Sequence, residues 1–201
     1  IDQTLLSLLM ENVRTPGQTV GDIFAQVSAL ALMETRVLGV MHDYGLKTLA
    51  GLADALFGRA EQAMRKTLKN IPAGTYHYET LTDGFEAPFR FRVALTVSNG
   101  RLHADYSGTS EQQPVAINCV LAYTYAMTAY AVKAALLPTL PNNDGMFRPI
   151  TVAAPEGCLL NPRFPAAVGA RHSTGHYVPI LIFGALEKVI PEKVMAAPGS
   201  P

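Results

Sequence analysis

The sequence is poor in charge. Only 16% of its 201 residues are Asp, Glu, Lys or Arg, against about 25% in typical soluble domains. Sixteen acidic and sixteen basic residues cancel, and no basic face points to nucleic acid as a partner. So little charge is typical of a protein that buries much of its surface against partners. We therefore expect a subunit of an assembly, or a fragment of one.

Cysteines and long apolar runs are scarce too. Cys119 and Cys158 lie among apolar residues without CxxC spacing, which favours buried, reduced thiols of a cytoplasmic protein over a disulfide or a nucleophile. No uninterrupted run reaches the roughly 18 apolar residues of a membrane span, and the first residues lack a signal-peptide pattern. We expect no membrane association. Because the sequence begins with Ile1 and ends in AAPGSP, we also expect a fragment of a longer polypeptide.

Nucleotide-binding and hydrolase signatures are missing as well. The sequence contains no GxxxxGK[ST], no GxGxxG and no GxSxG, the patterns that cradle phosphates or expose a nucleophilic serine. ATP binding within this chain is therefore not predicted.

Periodicity divides what is present into two parts. Apolar residues recur at helical spacing over residues 20–44 and 47–69, with Gly45 as a stop signal between them. A short connection between two long helices predicts an antiparallel helical hairpin over residues 1–72.

The remainder, residues 73–201, changes period and predicts an α+β fold with a central antiparallel sheet and a helix-rich C-terminal part. Residues 89–97 alternate strictly, and Asn99-Gly100 joins them to a second alternating run, the strongest local hairpin signal. An apolar helix over 116–137, a strand and turn over 149–157 and a last helix over 172–190, kinked at Pro179, complete the prediction.

Two segments could carry chemistry. The small residues Ser107 to Ser110 follow a strand end, where a sharp turn can leave hydroxyls and amides free for a ligand or a neighbouring chain. His172 and His176 are four residues apart, so a helix would place both imidazoles on one face beside Arg171. Metal ligation, substrate contact or catalysis, and a purely structural or interface role all fit that spacing.

Three blocks of the sequence resemble the hydantoinase B/oxoprolinase family. They are NVRTPGQTVGDIFAQ at residues 12–26, DYSGTS at residues 105–110 with Asn118 downstream, and NNDGMFRPITVAAPEGCLLNPRFPAAV at residues 142–168. The blocks occur in the family's order and cover nearly the whole chain, which makes the resemblance more specific than any single motif.

The resemblance implies a B-type subunit that works beside an ATP-using, hydantoinase A-like subunit in a homo- or hetero-oligomer. Family activities include ATP-dependent hydrolysis of hydantoins and 5-oxoproline and ATP-dependent carboxylation of ketones. By that comparison the chain is the C-terminal part of the subunit and is inactive alone. It would hold no cofactor itself, whereas the whole complex would use ATP and a divalent metal, Mg or Mn. The family's metal ligands lie N-terminal to the residues present here.

One departure from the family pattern suggests where the substrate lies. Where many hydantoinase-type relatives carry Gly-Asn and Thr-Ser-Gln, this chain has Arg171, His172 and His176. We therefore expect His172 and His176 to act as catalytic proton shuttles or substrate contacts and Arg171 to stabilise an anion, a set that leans toward ketone carboxylation. Substrate-binding roles are further expected for Ser107, Gly108, Thr109 and Asn118. The alternative is a non-catalytic scaffold that builds a subunit interface.

Overall fold

The structure of the chain is a computed structural model that describes residues 2–196. Its elements, in chain order, are α1 (Gln3–Asn12), α2 (Pro16–Asp43), α3 (Ala50–Lys69), β1 (Gly74–Thr82), β2 (Phe89–Ser98), β3 (Arg101–Asp105), α4 (Leu121–Leu136), α5 (Asp144–Phe147), β4 (Ile150–Ala153), α6 (Arg171–Gly175), α7 (Tyr177–Leu186) and a 3₁₀ turn at Pro191–Lys193. The predicted α+β class is confirmed.

The chain divides into two compact units between Ala53 and Asp54. The change from helical to alternating period instead predicts a boundary at residue 72. Packing divides the chain inside α3, because Ala60, Met64 and Leu68 lie on one face of that helix and join the core of the second unit. The antiparallel pairing of α2 with α3 stays a prediction.

The first unit consists mainly of α1 and α2. The Asp2 carboxylate caps α1 by accepting hydrogen bonds from the backbone N–H groups of Thr4 (2.8 Å) and Leu5 (3.2 Å). Pro16 occupies the first position of α2, where its missing N–H costs no helical hydrogen bond. The two helices pack on each other, with Leu6 of α1 buried.

Helix α2 is apolar but has no buried residue. By length and composition alone it could cross a membrane. The sequence analysis did not predict this, because charged residues interrupt the apolar run of this helix. An apolar helix that a partner covers meets the same criterion. Its exposed large side chains are Phe24, Val27, Leu30, Leu32, Met33, Leu38 and Val40.

The second unit is built on a four-stranded sheet in the order β1-β2-β3-β4. Alternation along β2 buries Phe91, Val93, Leu95 and Val97 and leaves the side chains between them exposed or partly exposed, as predicted. The β2–β3 turn has positive φ angles at Asn99 (49°) and Gly100 (69°), the backbone of a type I′ hairpin. Helices α4 and α7 pack against each other and contribute to the same core.

The sheet is mixed rather than purely antiparallel. Strand β4 pairs parallel to β3, with Leu102 opposite Ile150. Parallel neighbours need a long crossover connection, and the chain from Asp105 to Ile150 supplies one that includes α4. The predicted antiparallel sheet is confirmed for β1, β2 and β3. Alternation within a short strand does not report its direction, so the sequence did not predict the parallel pairing of β4.

The C-terminal helix is interrupted at His176, three residues before the predicted kink at Pro179. Proline has no N–H to bond the carbonyl of Gly175 four residues earlier, so the helical ladder is broken before the proline. Pro179 then sits in the first turn of α7, where a missing N–H is tolerated.

Candidate functional site

The loop that follows β3 is a tight turn. The Asp105 carboxylate accepts hydrogen bonds from the Ser107 hydroxyl (2.7 Å) and the Ser107 backbone N–H (2.9 Å). The hydroxyl bond is the main cause that lowers the pKa of Asp105, with further contributions from the Ser107 N–H and from His103 and Arg92. Gly108 has φ +90°, where a side chain would be strained and would also press on Arg92.

The hydroxyls of this loop are largely engaged, contrary to the prediction that they are free. Ser110 exchanges bonds with Arg90: its N–H donates to the Arg90 carbonyl (2.9 Å), and its Oγ accepts from the Arg90 N–H (2.9 Å). Thr109 Oγ1 accepts from the Arg92 N–H (3.3 Å) and donates to the Arg92 carbonyl (3.4 Å). The loop thus extends the sheet along β2. Gly108 and Thr109 of this loop, together with Cys158, line a cavity of about 520 Å³. This cavity is the surface that the loop offers to a ligand.

Asn118 is fully buried and binds the backbone rather than open space. Its Oδ1 accepts from the Gln113 N–H (2.8 Å), and its Nδ2 donates toward the carbonyls of Gln113 (2.8 Å), Val115 (3.0 Å) and Ala167 (2.9 Å). These bonds fasten the loop before α4 to the segment that leads into α6. In this structure Asn118 therefore holds the backbone around the site, and its substrate contact stays a prediction.

Arg171 and His172 lie in the first turn of α6, and His176 directly follows the last residue of that helix. The His176 N–H donates to the His172 carbonyl (3.0 Å), so the two residues lie one turn apart. His172 is exposed, whereas His176 is half-buried with its ring edge-on to Tyr177 (5.8 Å between centroids). The Arg171 guanidinium lies over the ring of Tyr123 at 5.9 Å, a cation–π contact.

Next to α6 lies a cavity of about 350 Å³, which we call the aromatic cavity. Tyr177 stacks on Phe91 (4.8 Å, 7°), and its hydroxyl bonds the Thr82 hydroxyl at 2.7 Å. The residues that line the aromatic cavity are Thr82, Asp83, Gly84, Phe85, Phe89, Phe91, Ile117, Ser173, Thr174 and Tyr177. His172, His176 and Arg171 therefore flank residues of this lining without belonging to it.

Sequence reasoning missed the aromatic cavity. Thr82 and Tyr177 are 95 positions apart, and no local period or motif links them. Phe89 and Phe91 were predicted to lie on one apolar face of a strand, and they do. The alternation of a strand does not show that its first residues line a cavity.

Other reactive groups are buried. Cys119 and Cys158 are free and buried, as predicted, and burial raises the pKa of both thiols, which makes them poor nucleophiles. Burial also raises the pKa of Tyr106, whose hydroxyl bonds Thr128 (2.6 Å). Within residues 2–196, no group of three His, Cys, Asp or Glu side chains could hold a metal ion.

Comparison with known proteins gives a consistent family. The family model described as Hydantoinase B/oxoprolinase matches residues 1–200. The chain is 32% identical to the B-type subunit of a putative D-/L-hydantoinase from Pseudomonas sp. (strain NS671), over 96% of this chain and 35% of that protein. It is 26% identical to the 5-oxoprolinase of Saccharomyces cerevisiae, over 74% of this chain and 12% of that protein.

Two solved structures share the fold. The ATP-dependent caprolactamase of Pseudomonas jessenii superposes with a TM-score of 0.84 at 24% identity, over 96% of this chain and 34% of that one. Nucleotide-free acetone carboxylase superposes with a TM-score of 0.83 at 15% identity, over 98% of this chain and 29% of that one. The chain thus spans about a third of the length of the bacterial hydantoinase and caprolactamase subunits that it matches.

Proposed function

Because the chain belongs to the hydantoinase B/oxoprolinase family, we propose that it forms part of the B-type subunit of an ATP-dependent complex. That complex would hydrolyse cyclic amides or carboxylate ketones together with a hydantoinase A-like subunit, ATP and a divalent metal. The observation that carries the proposal is the family match over residues 1–200, supported by 32% identity to the B-type subunit of a putative hydantoinase.

In this proposal α6 borders the reacting centre. His176 is half-buried beside Tyr177, and imidazoles transfer protons near neutral pH. His172 lies one turn earlier and is exposed. In the complex its imidazole would face the substrate or the part of the complex that covers α6. Arg171 supplies a cation for an anionic intermediate, since phosphoryl chemistry depends on positioning and on charge stabilisation.

The direct experiment is substrate-dependent ATP hydrolysis by the full-length subunit, purified with the protein that its neighbouring gene encodes. The panel holds a simple ketone, hydantoin and 5-oxoproline, each with and without bicarbonate. Stimulation by the ketone only with bicarbonate identifies a carboxylase, and stimulation by a cyclic amide without bicarbonate identifies a hydrolase. Failure of every panel member to stimulate ATP hydrolysis contradicts the proposed reaction classes.

The second candidate is a non-catalytic scaffold, and α2 favours it. A helix of 28 residues with no buried side chain and at least seven exposed large apolar ones needs a covering partner. The exposed position of His172 fits an interface equally well. Removal of His172 and His176 distinguishes the two candidates. It would weaken assembly of the complex if the segment is a scaffold, and it would lower turnover if the segment borders the reacting centre.

A further inference from the structure

We propose that the free edge of β1 pairs with β1 of a second copy of the chain, antiparallel and about a two-fold axis next to Tyr78. β1 is the first strand in the order β1-β2-β3-β4, so within residues 2–196 only one of its sides is paired. The proposal goes beyond the proposed function, because it concerns assembly and not the reaction.

The ladder between β1 and β2 shows which backbone groups of β1 are free. In an antiparallel pair, residues alternately bond the partner strand and point away from it. The N–H and C=O of Arg92 both bond the Thr109 hydroxyl, on the far side of β2. Glu79, the β1 partner of Arg92, therefore points its N–H and C=O away from β2. By alternation the residues with this direction are Thr75, His77, Glu79 and Leu81, which we call the β1 edge.

The backbone groups of the β1 edge are accessible. All four of its residues are exposed. Within the part of the chain that the structure describes, one hydrogen bond reaches these backbone groups, from the Lys188 ammonium to the His77 carbonyl at 3.4 Å. Lys188 is itself exposed, so the N–H of an incoming strand can replace it. The β1 edge thus presents a row of donors and acceptors to a further strand.

β1 lacks the features that protect most edge strands. Natural edge strands are kept short or carry proline or lysine. The other edge of this sheet, β4, has four residues and lies between Pro149 and Pro155 in the sequence. β1 has nine residues, GTYHYETLT, without proline, lysine or arginine. Such an edge suits strand addition, in which main-chain hydrogen bonds give the affinity.

The β1 edge is complementary to itself. Full overlap of two antiparallel copies places Tyr78 opposite itself, because it is the middle residue of Gly74–Thr82. In this register the edge residues of one copy lie opposite those of the other, for example His77 opposite Glu79. Each of the four pairs exchanges two backbone hydrogen bonds, which gives about eight bonds in total.

Charge favours the same register. Two His77–Glu79 pairs, one on each side of the axis, set a titratable base opposite an acid. A register centred on Glu79 would instead place two carboxylates opposite each other, which destabilises a sheet. Exposed pairs of this kind contribute little affinity, so their effect is on the register.

A cavity lies beside the edge at the position of the proposed axis. Its volume is about 340 Å³, and Tyr78 lines it together with Phe183 and Gly184 of α7. Tyr78 is half-buried, and its ring packs so closely on Gly184 that a Cβ there would overlap it. In the dimer the two Tyr78 rings face each other across this space, and aromatic cross-strand pairs stabilise sheets.

Proline at a free position tests the pairing. Glu79→Pro removes an N–H of the β1 edge and keeps the ladder to β2, because that N–H points away from β2. In sedimentation equilibrium of the full-length subunit, we expect this variant to weaken the dimer at least about tenfold. Replacements that keep the backbone, Glu79→Ala as the matched control and Leu81→Glu, should stay within about threefold of the wild type.

Single cysteines test the register. Positions 77 and 79 of different copies lie opposite each other, at a Cα distance of about 5.5 Å that permits a disulfide. Two copies of the same position are offset by two residues along the strands and lie too far apart. With oxidised glutathione as oxidant, a mixture of His77→Cys and Glu79→Cys subunits should cross-link, and either variant alone should stay at the wild-type background.

Four results would overturn the proposal: a monomeric wild-type subunit, a Glu79→Pro subunit that dimerises as the wild type does, cross-linking of either cysteine variant alone, or no cross-link in the mixture. Occupation of the β1 edge by another strand of the same subunit, or by the hydantoinase A-like subunit, would give the last result. Neither measurement involves ATP hydrolysis, so the pairing and the proposed function can fail separately.

Discussion

At the scale of single residues, many polar and glycine positions that carry the family resemblance hold backbone together. Asn143 caps α5 by accepting from the Met146 N–H (3.3 Å), and Asn161 Nδ2 donates to the Ala154 carbonyl (2.9 Å). Gly145 allows close packing, since a Cβ there would overlap the backbone of Phe57. A sequence resemblance identifies the block that contains these positions, but it does not distinguish a residue that binds a ligand from one that binds its own chain.

Asn118 gives the sharpest stability prediction at this scale. Asn118→Ala removes a fully buried amide and leaves the Gln113 and Ala167 backbone groups without partners. We expect the free energy of unfolding in urea to fall by about 2–4 kcal/mol. Asn142→Ala, at an exposed position, is the matched control and should change it by less than about 0.5 kcal/mol. Similar losses in both variants would contradict the assignment of Asn118 as the residue that holds these backbone segments together.

Asp105 predicts a dependence of stability on pH. Its folded pKa is lowered, chiefly by the Ser107 hydroxyl, so the ionised form stabilises the fold at pH values above the unfolded pKa of about 3.9. That contribution is lost as pH falls through the folded pKa. Urea unfolding at pH 6 and at decreasing acid pH should therefore show a smaller acid loss in Asp105→Asn than in the wild type. Parallel pH profiles for the two proteins would refute this assignment.

At the scale of elements, sequence periodicity and turn residues predicted the helices and the hairpin, which depend on residues close together in the sequence. The helices near 20–44 and 47–69 and the Asn99-Gly100 hairpin were correct within a few residues at most ends. The parallel pairing of β4 and the uncovered end of the β1–β2 hairpin depend on contacts distant in sequence. The sequence did not predict them, because no short window contains both partners. The break between α6 and α7 is a local effect of Pro179, and the prediction placed it three residues too late.

The contact between α6 and α4 predicts an element-scale effect of Gly175. A Cβ at this position would overlap the Tyr123 ring, whereas a Cβ at Gly58 of α3 would meet nothing within 4 Å. We expect Gly175→Ala to destabilise the fold by about 1–3 kcal/mol and Gly58→Ala to stabilise it by up to about 1 kcal/mol. Thermal unfolding of both variants measures the difference. A Gly175→Ala protein as stable as wild type would show that α6 is not held against α4.

At the scale of the whole molecule, the exposed apolar surface of α2 predicts association. The double variant Leu30→Glu/Leu38→Glu should reduce self-association of the isolated chain, or its assembly into the complex, because both side chains are more than half exposed. Sedimentation velocity measures the change. Leu81→Glu, at an equally exposed position of β1 in the second unit, is the control and should leave the distribution unchanged. If the double variant assembles as wild type does, α2 is not the associating surface.

The most direct test of the central claim is His172→Ala/His176→Ala in the full-length complex, with His77→Ala as an exposed-histidine control. Assembly is followed by size-exclusion chromatography and turnover by substrate-dependent ATP hydrolysis. If α6 borders the reacting centre, turnover falls by about 100-fold or more while the complex stays intact. Unchanged turnover with weakened assembly would contradict that claim and identify this segment as a scaffold.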